Sequence, residues 1–272
     1  DKDWIIRKII AQRESLPLKI IEKLSKDEDS SVRTVVAKKF DLPVEIIERL
    51  SLDKDRTVRK VIAERPDLDP KILKRLSQDK NYDVRESVAQ RKNLPLEIIE
   101  VMIFDEDYEV RMKIAKRSDL TNAMIERLSQ DKNSRVRATI AERPNLSLGF
   151  IKELSQDQDW SVRAVVAKRP DLNHEMIEEL TRDRDQAVRE VIAKKKNLDF
   201  ELIKRLSYDN DWTVRKAIAQ RPDLTPEIIE RLSKDEDWNV REAMKNNQSL
   251  LSKTIDLDIK KEEKNNLNQA LK

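Results

Sequence analysis

Apolar positions recur along this chain with a period of 26 residues, and inside each period they fall at helical spacing. The stretch from Asp157 to Arg182 shows the pattern. Asp159 has the chemistry of a helix N-cap, and Val162, Val166 and Ala167 follow on one helical face, with Arg163 one turn from Ala167. Pro170 disfavours helical backbone at the residue before it, so the first helix should stop near Lys168. Leu172 is placed to fill the corner. Asn173 or a neighbour then opens a second short helix with Met176, Ile177 and Leu180 inward. Asp69-Pro70 and Thr225-Pro226 are equivalent openings, a capping residue followed by proline at the first helical position.

The register is fixed by an arginine after an apolar residue, at Arg7, Arg33, Arg59, Arg85, Arg111, Arg137, Arg163, Arg189, Arg215 and Arg241. No insertion breaks the interval. Helices of about nine residues are too short to persist alone in water. Each repeat must therefore bury its apolar face against its neighbours, which predicts an all-α solenoid of ten 26-residue two-helix repeats. Residues 1–259 are expected to form a single solenoid without internal boundaries. In the tenth repeat the small core alanine becomes Lys245, so 245–259 should be a degenerate C-terminal cap and 260–272 a polar tail.

Composition narrows the chemistry. Charged residues make up 40% of the 272 and apolar ones 38%, enough for a folded protein when concentrated at core positions. The 56 basic and 53 acidic side chains nearly cancel, so any attraction to a polyanion has to come from local clusters. With no cysteine there is no disulfide, thiolate metal site or iron–sulfur cluster. No apolar run approaches the ~18 residues of a membrane span, and a cytoplasmic protein without membrane association is expected.

The run from Leu206 to Leu224, with Asp209, Asp211, Val214, Arg215, Ala219 and Pro222, resembles the repeat of the leucine-rich repeat variant family. The likeness extends from residue 1 to about 250. It implies a right-handed superhelix of alternating α- and 3₁₀-helices, bacterial and HEAT-like, used as an interaction surface. Some members carry a cysteine-ligated cluster domain, which this chain lacks. Family repeats also commonly have Asn before the proline, where this chain almost always has a basic residue.

In a solenoid, equivalent positions line up as columns about 8–10 Å apart. Three columns are candidate sites. The first pairs Arg33, Arg59, Arg85, Arg111, Arg137, Arg163, Arg189 and Arg215 with the acidic series Asp53, Asp79, Asp105, Asp131, Asp157, Asp183 and Asp209. Lysine never enters it, which points to bidentate pairing in the seams between repeats, a structural ladder rather than an anion site.

The second column is Arg13, Lys39, Arg65, Arg91, Arg117, Arg143, Arg169, Lys195 and Arg221, with only Asn247 departing. Cations at helix C-termini are favoured by the macrodipole. Asp41, Asp67, Asp119, Asp171 and Asp223 lie near enough to neutralise part of the row. The alternative is an anion-binding row.

The third column is aromatic and holds Trp4, Tyr82, Tyr108, Trp160, Trp212 and Trp238, every tryptophan in the chain and two of its three tyrosines. Ser30, Arg56, Ser134 and Gln186 share the position, so it is not a sealed core site. Such aromatics either cover the seam or anchor a partner.

Val101, Met102, Ile103 and Phe104 replace the usual Arg-Leu-Ser-Lys/Gln at the end of a second helix, through local repacking against Met112 or as a partner patch. His174, the only histidine, has no second ligand for a metal or triad and is read as surface filler. A single glycine leaves no phosphate-cradling loop, and the carboxylate pairs repeat where a catalytic site would occur once. The expectation is a non-enzymatic scaffold with no cofactor, metal or small-molecule substrate. Protein is the expected partner, and nucleic acid bound along its phosphates is the alternative.

Overall fold

In the computed structural model, which describes residues 3–247, every regular element among the described residues is an α-helix. The chain divides into two compact units, Asp1–Ile140 and Ala141–Lys272. Most of the expected cap and all of the expected tail lie outside the described residues.

In the first unit the first helices of successive repeats are α1 (Trp4–Gln12), α3 (Ser30–Ala37), α5 (Arg56–Ala63), α7 (Tyr82–Ala89) and α9 (Tyr108–Ala115). The second helices are α2 (Leu18–Leu24), α4 (Val44–Ser51), α6 (Pro70–Leu76), α8 (Leu96–Met102) and α10 (Asn122–Ser129). α11 (Ser134–Ala141) lies at the division. The second unit continues with α12 (Leu148–Ser155), α13 (Trp160–Lys168), α14 (His174–Leu180), α15 (Gln186–Ala193), α16 (Phe200–Ser207), α17 (Trp212–Ala219) and α18 (Pro226–Ser233). Residues 238–247 are helical as well.

Within each unit, consecutive odd-numbered helices pack directly on one another, and the even-numbered helices form a second layer over them. The close odd-helix packing follows from the alanine column. Ala37, Ala63, Ala89, Ala167, Ala193 and Ala219 are wholly buried, and their small side chains let backbones approach.

The first repeat shows that neighbours supply the burial. Ile6 and Ile20 are 42% and 38% exposed, whereas their equivalents one repeat on, Val32 and Ile46, are buried. The sequence is the same in kind at both places. Only the preceding repeat differs.

Odd helices start as expected. The carboxylate of Asp159 accepts the Ser161 N–H at 2.9 Å, and Asp29, Asp55, Asp107, Asp185 and Asp211 cap in the same way. α13 ends at Lys168, where proline places it. Replacing the cap, Asp159→Ala, is expected to cost about 1 kcal/mol in urea denaturation, with the core packing otherwise retained. An unchanged midpoint would contradict the capping role.

The second helices are α-helical here, whereas the family resemblance implies 3₁₀ geometry. Ser25 N–H bonds Ile21 C=O at 2.8 Å, and 3₁₀ bonds such as Ile20 N–H to Pro17 C=O occur at the ends. Leu, Ile, Glu, Lys and Arg dominate these segments, and all but Ile are strong helix formers.

Helix C-termini commonly end on a left-handed glycine. Among the described residues no φ is positive, and the one glycine, Gly149, sits inside α12. Something else must satisfy the last carbonyls of the odd helices.

Candidate functional site

The ladder column sits in the seams between repeats. Arg33 donates from Nε to Asp53 Oδ2 at 2.6 Å and from Nη2 to Oδ1 at 2.8 Å, a bidentate pair reaching 20 residues forward. Its Nη1 donates back to the carbonyls of Asp27 and Glu28. Each arginine thus ties its own loop to the carboxylate of the next repeat. The same arrangement recurs at Arg59–Asp79, Arg85–Asp105 and Arg111–Asp131 in the first unit. The second unit has it at Arg163–Asp183, Arg189–Asp209 and Arg215–Asp235. Arg137 is buried and donates to the Asp131 carbonyl at 2.7 Å. Asp157 accepts the Asp159 N–H through its side chain and Arg163 through its carbonyl.

Electrostatics agree with this geometry. The hydrogen bond to Asp79 raises the Arg59 guanidinium above its ordinary value against the opposing effect of burial. Burial by itself would lift the Asp79 carboxyl. Hydrogen bonds from Arg59 and from the Asn81 N–H, with the nearby positive charge, outweigh it and hold that carboxyl below the usual range. In these seven pairs the guanidinium and the carboxylate are engaged with each other.

The basic column supplies the missing helix caps. Arg65 Nη1 donates to the carbonyls of Ala37, at 3.0 Å, and Lys39, at the end of the preceding repeat's first helix. Its Nη2 reaches Phe40 C=O at 2.7 Å, while Nε and Nη2 hold Asp67. Arg117 with Asp119 and Arg221 with Asp223 repeat the whole pattern; Arg169 with Asp171 repeats the carboxylate pair and the two helix-end bonds. Arg91 Nη1 and Lys195 Nζ make the two carbonyl bonds without a carboxylate two residues on, and Lys39 Nζ reaches Arg13 C=O. Arg13 is exposed.

The sequence expectation set each cation against the dipole of its own helix. The structure sends the side chain one repeat back instead, because that helix has bare carbonyls and no glycine cap. Asn247 makes the point. It carries no charge, yet its Nδ2 donates to Ala219 and Arg221 C=O at 2.8 and 2.6 Å, the same two bonds. What the column conserves is the donor. Arg65, Arg117, Arg169 and Arg221 are buried, so their guanidinium groups do not form an open row for an anion.

The aromatic column stays on the surface. Each of its members is the first residue of an odd helix. Trp4, Tyr82, Trp160 and Trp212 are 39–50% exposed and Trp238 is 63% exposed. Lys8 lies over Trp4, Lys216 over Trp212 and Arg135 over Tyr108, each within 6 Å of the ring centre. In the second unit, Trp238 borders a cleft of about 500 Å³ with Lys216, Gln220, Asn239, Glu242 and Asn246. No sequence signal pointed to this run of amides.

The Val101–Phe104 segment divides. Met102 and Ile103 are buried, while Val101 and Phe104 are exposed. Elsewhere a serine, or Thr181, stands where Ile103 is, and an arginine of the next repeat can reach its hydroxyl, as Arg75 reaches Ser51 Oγ at 2.6 Å. Ile103 offers no hydroxyl, and Arg127 stacks over Phe104 instead, 5.1 Å from its centre. His174 Nδ1 lies 2.9 Å from Asp199 with both side chains exposed. No group of three or more potential metal ligands occurs among the described residues, and no helix among them is long and apolar enough to cross a membrane.

Two layers of short helices, stitched at a 26-residue interval by paired charges, define an α-solenoid repeat protein. Among solved structures the chain is similar to one described as a leucine-rich repeat variant with a novel repetitive protein structural motif. The two are 27% identical over 82% of this chain and 88% of that one, with a TM-score of 0.66. It also matches Escherichia coli YibA at 18% identity over 91% of this chain and 97% of that one, TM-score 0.38. A chain of the Pds5–Scc1 complex matches at 15% identity over 83% of this chain and 40% of that one, TM-score 0.32. No protein-family model and no curated protein matches the sequence.

Proposed function

We propose that this chain is a non-catalytic scaffold that binds another protein along the surface that the starts of the odd helices form within a unit. The observation that carries the reading is Trp238, the most exposed tryptophan, bordering a cleft whose Gln and Asn amides can both donate to and accept from a peptide backbone. Exposed aromatics with adaptable polar neighbours are the composition of protein interfaces. Burial of the basic column weighs against tracking of a nucleic-acid backbone, since side chains already bonded to carbonyls and carboxylates cannot also neutralise phosphates.

A photo-crosslinking residue at position 238 or 160 tests this, with position 179, exposed on α14, as the control. Covalent protein adducts should form from the first two sites and not from the third. Equal labelling from 179, or retention of the chain on DNA at low salt with loss at high salt, would contradict it.

A further inference from the structure

At the C-terminal ends of the odd helices, neighbouring repeats leave clefts whose charge differs from one repeat to the next. The cleft bordered by Glu142, Lys168, Arg169 and Asp171 is of the ordinary kind, with its two cations matched by two carboxylates. Two others are not matched. In the first unit a cleft of about 650 Å³ is bordered by Arg91, Lys92, Lys113, Lys116 and Arg117 against the single carboxylate of Asp119. In the second unit one of about 680 Å³ is bordered by Lys168, Lys194, Lys195 and Lys196, with no carboxylate on its wall.

Both clefts share one departure of sequence. In the repeats that carry Arg65, Arg169 and Arg221, proline follows the basic column and aspartate follows the proline. In these two repeats the run is Arg91-Lys92-Asn93-Leu94 and Lys195-Lys196-Asn197-Leu198. Lysine stands for proline and asparagine for aspartate: Lys92 and Lys196 each add a charge to a cleft wall, Asn197 lies on the second wall in the aspartate's place, and Asn93 leaves Arg91 of the first wall without the carboxylate that Arg65 has.

The consequences are visible in the bonding. Arg65 Nε donates to Asp67 at 3.0 Å, whereas Arg91 Nε is buried with no hydrogen-bond partner. Burial pushes the Arg91 guanidinium and the Lys195 ammonium below their ordinary values, against the pull of Asp67 and Asp171 respectively. Lys113 is held by Glu86 at 3.0 Å and Lys194 by Glu190 at 2.5 Å. Lys92, Lys116, Lys168 and Lys196 are exposed and make no ion pair within 4 Å among the described residues. An unpaired buried donor beside free ammonium groups is costly unless an anion comes to it.

We infer that these two clefts, each within its own unit, bind carboxylate side chains of an acidic peptide segment. The inference rests on the protein-scaffold reading and names the chemistry of the partner. Peptide is favoured over nucleic acid because the positive charge is confined to single repeats. A phosphate backbone leaving the first cleft toward the preceding repeat would meet exposed Glu64 and Asp67. The second cleft also has Pro170, Leu172, Ile177 and Val191 on its wall, which suits acidic residues interspersed with apolar ones.

The test is fluorescence anisotropy on the whole chain at low salt. Its probes are a labelled peptide of glutamates interspersed with leucines, the same peptide with glutamine for glutamate, and a single-stranded oligonucleotide of equal charge. The acidic peptide should bind, the glutamine peptide should not, and Lys92→Glu with Lys196→Glu should weaken binding at least about tenfold. Asn93→Asp with Asn197→Asp returns the carboxylate that the ordinary repeat has two residues after the basic column. It should weaken binding to a similar degree while leaving the melting temperature equal or higher, which separates loss of a site from loss of fold. Unchanged affinity in both double variants, binding of the glutamine peptide as tight as the acidic one, or tighter binding of the oligonucleotide would overturn the inference. Loss of peptide binding here while position 238 still crosslinks to protein would remove the clefts and leave the scaffold reading standing.

Discussion

Arg59→Met should destabilise the protein by about 3–5 kcal/mol at neutral pH, the range for removing one partner of a buried, hydrogen-bonded ion pair. Arg59 is 5% exposed, and its guanidinium donates to both oxygens of Asp79, to Asp53 C=O at 2.7 Å and to Lys54 C=O at 3.2 Å. Methionine fills the volume but strands a carboxylate and two carbonyls. Arg59→Lys should recover little, because one ammonium cannot span a bidentate carboxylate and reach back to the loop.

The deficit should depend on pH with a definite sign. In the parent, Asp79 is held below its ordinary value, so its contribution is complete above about pH 4 and is lost as pH falls through the lower folded value. Without Arg59, burial acts on that carboxyl against the Asn81 N–H and the charge of Lys80 alone, and burial favours the protonated form. The stability gap between parent and variant should therefore narrow in acid. Urea midpoints at pH 7 and pH 4 measure it, and a gap that is small at pH 7 or widens at pH 4 would contradict the ladder.

The second large effect is expected at the helix-capping column. Arg221→Ala bares the carbonyls of Ala193, Lys195 and Lys196 and leaves Asp223 without its guanidinium. Loss of charge-assisted bonds at a buried helix end should cost about 1.5–3 kcal/mol. Arg221→Asn should cost clearly less, since Asn247 makes the two helix-end bonds with an amide alone. If asparagine is as damaging as alanine, the column works through its charge and not through donor geometry.

These two columns also show what the sequence could and could not disclose. Helix starts and stops were legible because the signals are local: Asp159 two residues before the N–H it caps, Pro170 two residues after the end of α13. The ladder was legible because two columns of opposite charge keep register and one of them never admits lysine. The capping column was legible only as a row of cations. Its acceptors are backbone carbonyls 26 and 28 residues upstream, and a carbonyl has no sequence signature. Asn247, an exception by charge, is a full member by geometry.

The scarcity of glycine and the recurrence of the column are two sides of one arrangement. Where helices end without a left-handed residue, a donor from the following repeat does the work. The exceptions then become informative. Lys92-Asn93 and Lys196-Asn197 depart from the repeat at its structural joint, and Ile103 departs where a serine normally meets an arginine. The aromatic column differs in kind, because its position also admits Ser, Arg and Gln and its side chains are exposed or, at Tyr108, half-buried.

Arginine-specific dicarbonyl labelling, read residue by residue by mass spectrometry on the native protein, measures most directly whether the periodic charge is consumed in holding repeats together. Arg59, Arg111, Arg169 and Arg221 should resist modification until the chain is unfolded, while Arg56 and Arg182, with side chains 62% and 59% exposed, react at once. Native-state labelling of Arg169 and Arg221 at the rate of Arg56 would mean that the row is open to solvent and to anions.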